Sequence, residues 1–527
     1  MTRQFAAYAG LAVLCLVLFA WRLGAVPLMG LDEGLYSECA REMASGAGWL
    51  VPKVNGIPFY EKPPLAYWLM AASIRIFGPN SFAARLPSCL AGLTLVALTV
   101  WIGTKIFGRR AGLCSGIAFA TCIMSVALAR MALMDMLFAL LITAALGTFA
   151  LTHLRMLPRA YYVVFWVAAG LSVLVKGPAG AVLIAVTVLA FAAIRRRPRV
   201  LADAMPLVGL VVFGLVALPW YAAVGVRTHG EFLREFIVHQ NLQRALGQDF
   251  QHNMPFYFYI PTFLFGFFPW SVFVPLAWAR YVRSAPTDSA DEAALFAGVW
   301  TAAVVVIFSV SRSKLPAYIY PIYPASALLV GRLWSDAFDQ PAADSLRRYA
   351  VAAVVLAVVI GGALLIGPRF LPEPVPGAGV ALGAMGGSLA AGPVLCLLML
   401  VKRGVKPAFG ALCAGTAAFA LCAVVPALPV ASRALGEPAV AAAERIRRLV
   451  PRRQPVFAYR LSPPQSTLPF YAGRPIPAMK TEEELREAIR GLKSFAVVGQ
   501  NDRLEGLPSG GRLVTRVGRY VIYRFEK

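Results

Sequence analysis

Apolar runs of roughly twenty residues, separated by short basic or aromatic-rich segments, recur from Phe5 to Val430. A helix rises about 1.5 Å per residue, so about 20 apolar residues cross a hydrocarbon core of ~30 Å. The pattern predicts thirteen spans, near residues 5–23, 82–106, 111–129, 133–152, 161–175, 178–194, 203–225, 256–281, 292–310, 314–333, 349–367, 378–402 and 407–430. The 161–194 stretch reads as two spans because Lys176-Gly177-Pro178 interrupts it, and proline breaks a helix interior. The expected fold class is a polytopic α-helical membrane protein.

Past Val430 the pattern changes. Arg, Glu and Pro rise, residues 440–449 and 481–492 read as helices, and Val456-Phe-Ala-Tyr, Phe495-Ala-Val-Val and Tyr520-Val-Ile-Tyr-Arg-Phe read as strands. The chain therefore divides into a transmembrane domain, 1–430, and a small soluble α/β domain, 431–527, which carries no nucleotide fingerprint and reads as a lid or packing module.

Composition agrees with the membrane reading. The chain of 527 residues is 59% hydrophobic and 14% charged, and its mean hydropathy is +0.67. A soluble globular protein is excluded. Fifty Lys and Arg against 26 Asp and Glu leave +24. In a soluble chain this would suggest a nucleic-acid partner, but the basic residues fall in short loops. With Arg3 cytoplasmic, the loops holding Lys105/Arg109/Arg110, Arg155/Arg159, Arg195–Arg199, Arg280/Arg283, Arg332/Arg347/Arg348 and Lys402/Arg403/Lys406 all lie on the same side, as the positive-inside rule requires. An odd number of crossings puts the first loop 24–81, the loop 226–255 and the C-terminal domain outside. The first helix is expected to be an uncleaved anchor rather than a signal peptide. The eight cysteines form no CxxC pair and no metal-ligand spacing.

Ionisable groups near membrane depth that are not topology signals are functional candidates. Asp32 and Glu33 open the first loop in Leu31-Asp32-Glu33-Gly34-Leu35-Tyr36, where acids also suit the start of a helix. The same loop continues Tyr60-Glu61-Lys62-Pro63-Pro64, and a lysine held before a double proline serves as an interfacial anchor or a point charge for phosphate. Asp135 begins the fourth span on the same outer side. Lys176, Arg312, Lys314, Arg234, His239, Arg244 and His252 put cations on outer loops, against the positive-inside trend. Snorkelling accounts for any one of them; together they predict an outward-facing cavity suited to a phosphate-bearing lipid.

In this order and topology the Asp32-Glu33 pair, the Tyr60–Pro64 box, Asp135, Lys176-Gly177-Pro178, the Glu235–Arg244 stretch and Ser313-Lys314-Leu315-Pro316-Ala317-Tyr318 resemble bacterial GT-C type glycosyltransferases. Their lipid A 4-amino-4-deoxy-L-arabinose transferases are nearest and the protein O-mannosyltransferases more distant. The resemblance covers essentially the whole chain. It implies transfer of a sugar from a polyprenyl-phosphate donor to lipid A, or another glycolipid, glycan or protein acceptor, on the periplasmic face of the inner membrane. It casts Asp32 as the catalytic aspartate, with Asp135 and Glu33 beside it, and Lys62, Lys176, His239, Arg244 and Tyr320 (or Tyr318) around the donor phosphate. The aminoarabinose transferases usually carry Thr-Arg-Tyr after the Asp-Glu pair where this chain has Gly34-Leu35-Tyr36, which leaves the sugar open.

The expected reaction inverts the anomeric carbon. Asp32 takes the acceptor's proton or orients an ionised acceptor, cations stabilise the departing phosphate, and Glu61 orients Lys62. No cofactor is required by this scheme. Oxygen ligands suit Mg²⁺ or Mn²⁺, so a divalent cation on Asp32, Glu33 and Asp135 is one expectation, and a cationic cavity in its place is the other. The rival class is a transporter or flippase of lipid-linked sugars, which would show repeats or matching broken helices. The sequence shows neither.

Overall fold

The computed structural model describes residues 2–243, 254–339, 343–370, 374–461 and 466–526. Among the described residues, eight helices are long and apolar enough to cross a membrane: Ser81–Phe107, Asp135–His153, Arg159–Lys176, Pro206–Arg227, Ser289–Val310, Asp344–Phe370, Ala378–Lys402 and Val405–Arg433. Two bent pairs raise the number to ten if each is one span. Arg109–Thr121 meets Ile123–Ala129 at 67°, and Phe256–Gly266 meets Trp270–Tyr281 at 113°. Phe5–Ala20 and Pro178–Ile194 are shorter apolar helices.

The bends have local causes. Cys122 takes an extended conformation, φ −70° and ψ 148°, and ends one helix while starting the next. Its thiol lies 2.9 Å from Ser125 Oγ in the first turn beyond the break. Between the other two helices stands Pro269, which has no N–H to continue the ladder. The expected span 314–333 is likewise shortened: Pro316–Ile319 forms a single 3-10 turn, and the helix proper runs Ile322–Ala337, 16 residues.

Helix packing relies on close backbone approach. A Cβ on Gly415 would stand 2.2 Å from Gly392 Cα, so helices Ala378–Lys402 and Val405–Cys422 touch through glycine on both sides, the small-residue packing common between membrane helices. A continuous core runs from Leu18 and Phe19 through Phe138 and Phe149 to Trp270, Tyr320 and Trp334.

Between the first helix and Ser81 the chain builds a cap. Helix Leu31–Ala44 is followed by a two-stranded ribbon, Lys53–Val54 with Ile57–Pro58, and by helix Leu65–Phe77. The ribbon turns on Asn55-Gly56, with φ 56° and 77°, the residue pair that a tight two-residue hairpin turn prefers.

Residues 437–526 form an α/β unit. Its five-stranded sheet runs Ala478–Met479, Val456–Tyr459, Ser494–Gln500, Tyr520–Glu526, Arg512–Val517 in space; the first three strands are parallel and the last two pair antiparallel. Ala442, Ile446, Val498 and Ile522 pack on one face, and Phe457, Leu485, Phe495 and Phe525 on the other. The three expected strands and both expected helices are present, the second helix ending at Ala488. The chain turns from the last membrane helix to this unit at Gly436, slightly beyond the expected boundary at 430. All eight cysteines are free thiols; Cys413 and Cys422 are half-buried and the other six buried.

Candidate active site

Helix Leu31–Ala44 starts after Gly30, whose φ of 81° lets the chain turn sharply into the first turn. The next residues point in different directions. Asp32 is exposed. Glu33, 1% exposed, faces Arg85, 3% exposed, with Nε–Oε1 2.7 Å and Nη2–Oε2 2.9 Å. The Met29 and Ala132 amides also donate to Glu33, at 2.6 and 2.9 Å, and Arg85 donates further to the carbonyls of Leu23, Val26 and Pro27. Both Glu33 oxygens are thus committed inside the bundle. The expectation that Glu33 shares the catalytic role is corrected by this geometry: its carboxylate ties helix Leu31–Ala44 to helix Ser81–Phe107 and to the 130–134 turn.

Asp135 is the first residue of helix Asp135–His153, and Lys176 is the last of helix Tyr162–Lys176. The chain folds them together because each charge suits its helix end. Gly177, φ 72°, stops the second helix and Pro178 begins the next. Lys176 Nζ stands 2.5 Å from Asp135 Oδ1, with both side chains only 13% and 11% exposed. The same ammonium lies 5.2 Å from the ring centres of Phe138 and Tyr318. Lys176 is thus a half-buried cation flanked by two rings and one carboxylate.

Tyr36 follows Asp32 on helix Leu31–Ala44. It lies one helical turn after Asp32, on the same helix face, and its ring sits 5.7 Å from that of Tyr67. Burial pushes its hydroxyl well above the usual phenol range, and the charges of Asp32, Asp135 and Glu61 push it further the same way. Sequence reasoning passed over Tyr36; its i, i+4 spacing from Asp32 was the available signal.

Lys62 and Glu61 are half-buried between the ribbon and helix Leu65–Phe77. Just before them, the Tyr60 hydroxyl donates to Glu231 at 3.2 Å and its ring meets Phe232 edge-on at 5.6 Å. An open groove of about 500 Å³ lies here, lined by Ile57, Tyr60, Glu231, Arg234, Glu235 and His239. His239 Nδ1 is 2.5 Å from Gln243 Oε1, and Nε2 is 4.0 Å from Glu235. Beside the groove, Phe236 is buried and packs on Gly177: a Cβ there would stand 2.4 Å from its ring.

The chain matches known proteins in sequence and in shape. Residues 61–222 match the family described as dolichyl-phosphate-mannose-protein mannosyltransferase. The undecaprenyl phosphate-alpha-4-amino-4-deoxy-L-arabinose arabinosyl transferase of Erwinia tasmaniensis is 30% identical over 304 residues, 57% of this chain and 54% of that one. Its counterpart in Enterobacter sp. strain 638 is 28% identical over 305 residues, again 57% and 54%. These alignments span about half the length of each relative. The crystal structure of ArnT from Cupriavidus metallidurans bound to undecaprenyl phosphate superposes with a TM-score of 0.82 at 25% identity, covering 98% of this chain and 97% of that one. The fold is that of the GT-C glycosyltransferases.

Within this GT-C fold two further expectations change. Tyr320 is fully buried; its hydroxyl donates to Ser125 Oγ at 3.0 Å and approaches Met136 Sδ at 3.4 Å, so it is a core residue. Tyr318, two residues earlier, is the tyrosine on Lys176. Lys314 is also spent on backbone, donating to the carbonyls of Met254 and Ser311. Arg244 and His252 lie outside the described residues. Of the acids expected around a divalent cation, Glu33 is held by Arg85 and Asp135 by Lys176, and among the described residues no three His, Cys, Asp or Glu converge as ligands.

Proposed function

We propose that this chain is an integral membrane glycosyltransferase that moves a sugar from a polyprenyl-phosphate donor to lipid A or another envelope acceptor. The sugar carried by the named relatives, 4-amino-4-deoxy-L-arabinose, is the leading identity. The observation that carries the reading is the Asp135–Lys176 pair against the rings of Phe138 and Tyr318.

In the reaction the anomeric C–O bond to the donor phosphate breaks as an acceptor oxygen attacks from the opposite face. Asp32 takes the proton of an acceptor hydroxyl, or orients an acceptor phosphate that has none to give. Lys176 and Lys62 meet the charge that builds on the departing polyprenyl phosphate, which a low-dielectric site makes their largest contribution. Asp135 holds Lys176 in place, and Glu61 orients Lys62. His239 belongs to the groove side of the donor path. The scheme routes no step through a metal.

The chain is read as a multi-pass inner-membrane protein with thirteen crossings. The eight long apolar helices, the two bent pairs and the shorter apolar helices Phe5–Ala20 and Pro178–Ile194 support a multi-pass reading. The basic loops put Asp32 and the C-terminal α/β domain on the periplasmic side.

The test is mass spectrometry of envelope lipids and polyprenyl-phosphate sugars from cells lacking the protein, complemented with wild type or Asp32→Asn. Loss of one sugar-bearing product with accumulation of its donor, restored by wild type alone, is the expected outcome, and the mass names the sugar. Full complementation by Asp32→Asn overturns the mechanism in favour of transport.

A further inference from the structure

Gly34 occupies a place that the reaction leaves unexplained. It sits in the first turns of helix Leu31–Ala44 with an ordinary helical backbone, where alanine would be the better helix former. A Cβ there would stand 2.7 Å from Ser466 Oγ, 2.7 Å from Thr467 Cγ2 and 2.8 Å from the Ser466 carbonyl carbon. The last of these is backbone and cannot rotate aside. Gly34 is thus the point where the C-terminal unit closes against the helix that carries Asp32.

Other contacts seat the same docking. The Tyr471 hydroxyl accepts from the Leu28 amide at 2.7 Å and lies 2.8 Å from Ser81 Oγ, bridging the chain on both sides of the cap. Asn55, at the ribbon turn, accepts from the Ile476 amide at 2.9 Å. Phe470, 2% exposed, belongs to the core of the membrane bundle rather than to that of its own sheet. Glu33 fixes the helix from the bundle side, and Ser466–Thr467 meets it from the side of the α/β unit.

We propose that the C-terminal unit braces the acid-bearing helix, with Gly34 as a positioning residue: the depth to which Ser466 and Thr467 seat on it sets where Asp32 stands relative to the donor cations. The inference rests on the catalytic reading of Asp32. Gly34→Ala improves the local helix and removes no hydrogen bond, so its effect reports the docking alone.

The test uses full-length protein in nanodiscs, with undecaprenyl phosphate alone as the binding probe and lipid A as acceptor for the loaded donor. Gly34→Ala is expected to bind undecaprenyl phosphate within about twofold of wild type while kcat falls at least tenfold and the lipid A KM stays within threefold. Thr467→Ser, which removes one of the three contacts, is expected to recover part of kcat in the Gly34→Ala background. Wild-type kcat in Gly34→Ala, or a parallel loss of donor binding and thermal stability, overturns the proposal. Hydrogen exchange of residues 28–44 needs no acceptor and separates the two readings. If wild type transfers nothing to lipid A, the acceptor is another one or the reaction is misread, and in either case the brace stands on faster exchange in Gly34→Ala or falls on unchanged exchange.

Discussion

Glu33 and Arg85 form a two-point ion pair, 2.7 and 2.9 Å, at 1% and 3% exposure. Asp32, its neighbour in sequence, is exposed. Removing one partner of a buried pair strands the other charge, at a cost of about 3–5 kcal/mol. Glu33→Gln is therefore expected to lower the unfolding temperature in detergent sharply, and Asp32→Asn to leave it unchanged while abolishing transfer. The reverse pattern would return Glu33 to the catalytic group.

The Asp135–Lys176 contact separates binding from turnover. Lys176→Ala removes the cation and is expected to weaken undecaprenyl phosphate binding by about tenfold or more, roughly 1.4 kcal/mol per factor of ten. Asp135→Asn leaves that cation without its carboxylate. Binding of the lipid phosphate should hold or tighten, while turnover falls because Lys176 is no longer oriented. Calorimetric titration of both variants with undecaprenyl phosphate, beside single-turnover assays, checks the split.

Tyr318 and Tyr320 should part in the same way. Tyr318→Leu takes the ring away from Lys176 and is expected to reduce transfer with little change in stability. Tyr320→Phe loses the bond to Ser125, about 1 kcal/mol of stability, and should retain turnover. Equal loss of activity in the two would show that the ring on Lys176 is not what distinguishes them.

Glu38 gives a pH signature outside the bundle. Burial pushes its carboxyl up from 4.5 to about 7, although Arg41, bonded to both its oxygens at 2.7 Å, pulls the other way. The native state thus keeps a proton that the unfolded chain releases near 4.5. This contribution is complete below pH 4.5, declines as pH rises to about 7, and is level above. Unfolding temperatures measured from pH 4.5 to 8 should fall across that window, and Glu38→Gln should flatten the decline.

Much of this architecture is legible in the chain because membrane helices announce themselves by apolar length and the α/β unit by short β-branched runs. Asp32, Asp135 and Lys176 stand out as candidates too, since an ion at the edge of an apolar span needs a reason, and the fold pairs the last two. What spacing does not convey is direction. Glu33 looks equivalent to Asp32 until Arg85, 52 residues away, claims it. Tyr320 and Tyr318 differ only in which side of a 3-10 turn faces the core. The break at Cys122 carries no proline or glycine, and Gly34 meets partners more than 400 residues downstream.

The thiol inventory has a practical side. Six cysteines are fully covered, the other two half-buried in helix Val405–Cys422 and at its end, and burial raises Cys39 far above the range where thiolate forms at neutral pH. To a water-soluble maleimide the native protein should be silent. One cysteine introduced at an exposed position such as Arg512, on the edge strand of the C-terminal sheet, would carry the whole signal. Fluorophores could then follow that unit during turnover without first rebuilding the chain free of cysteine.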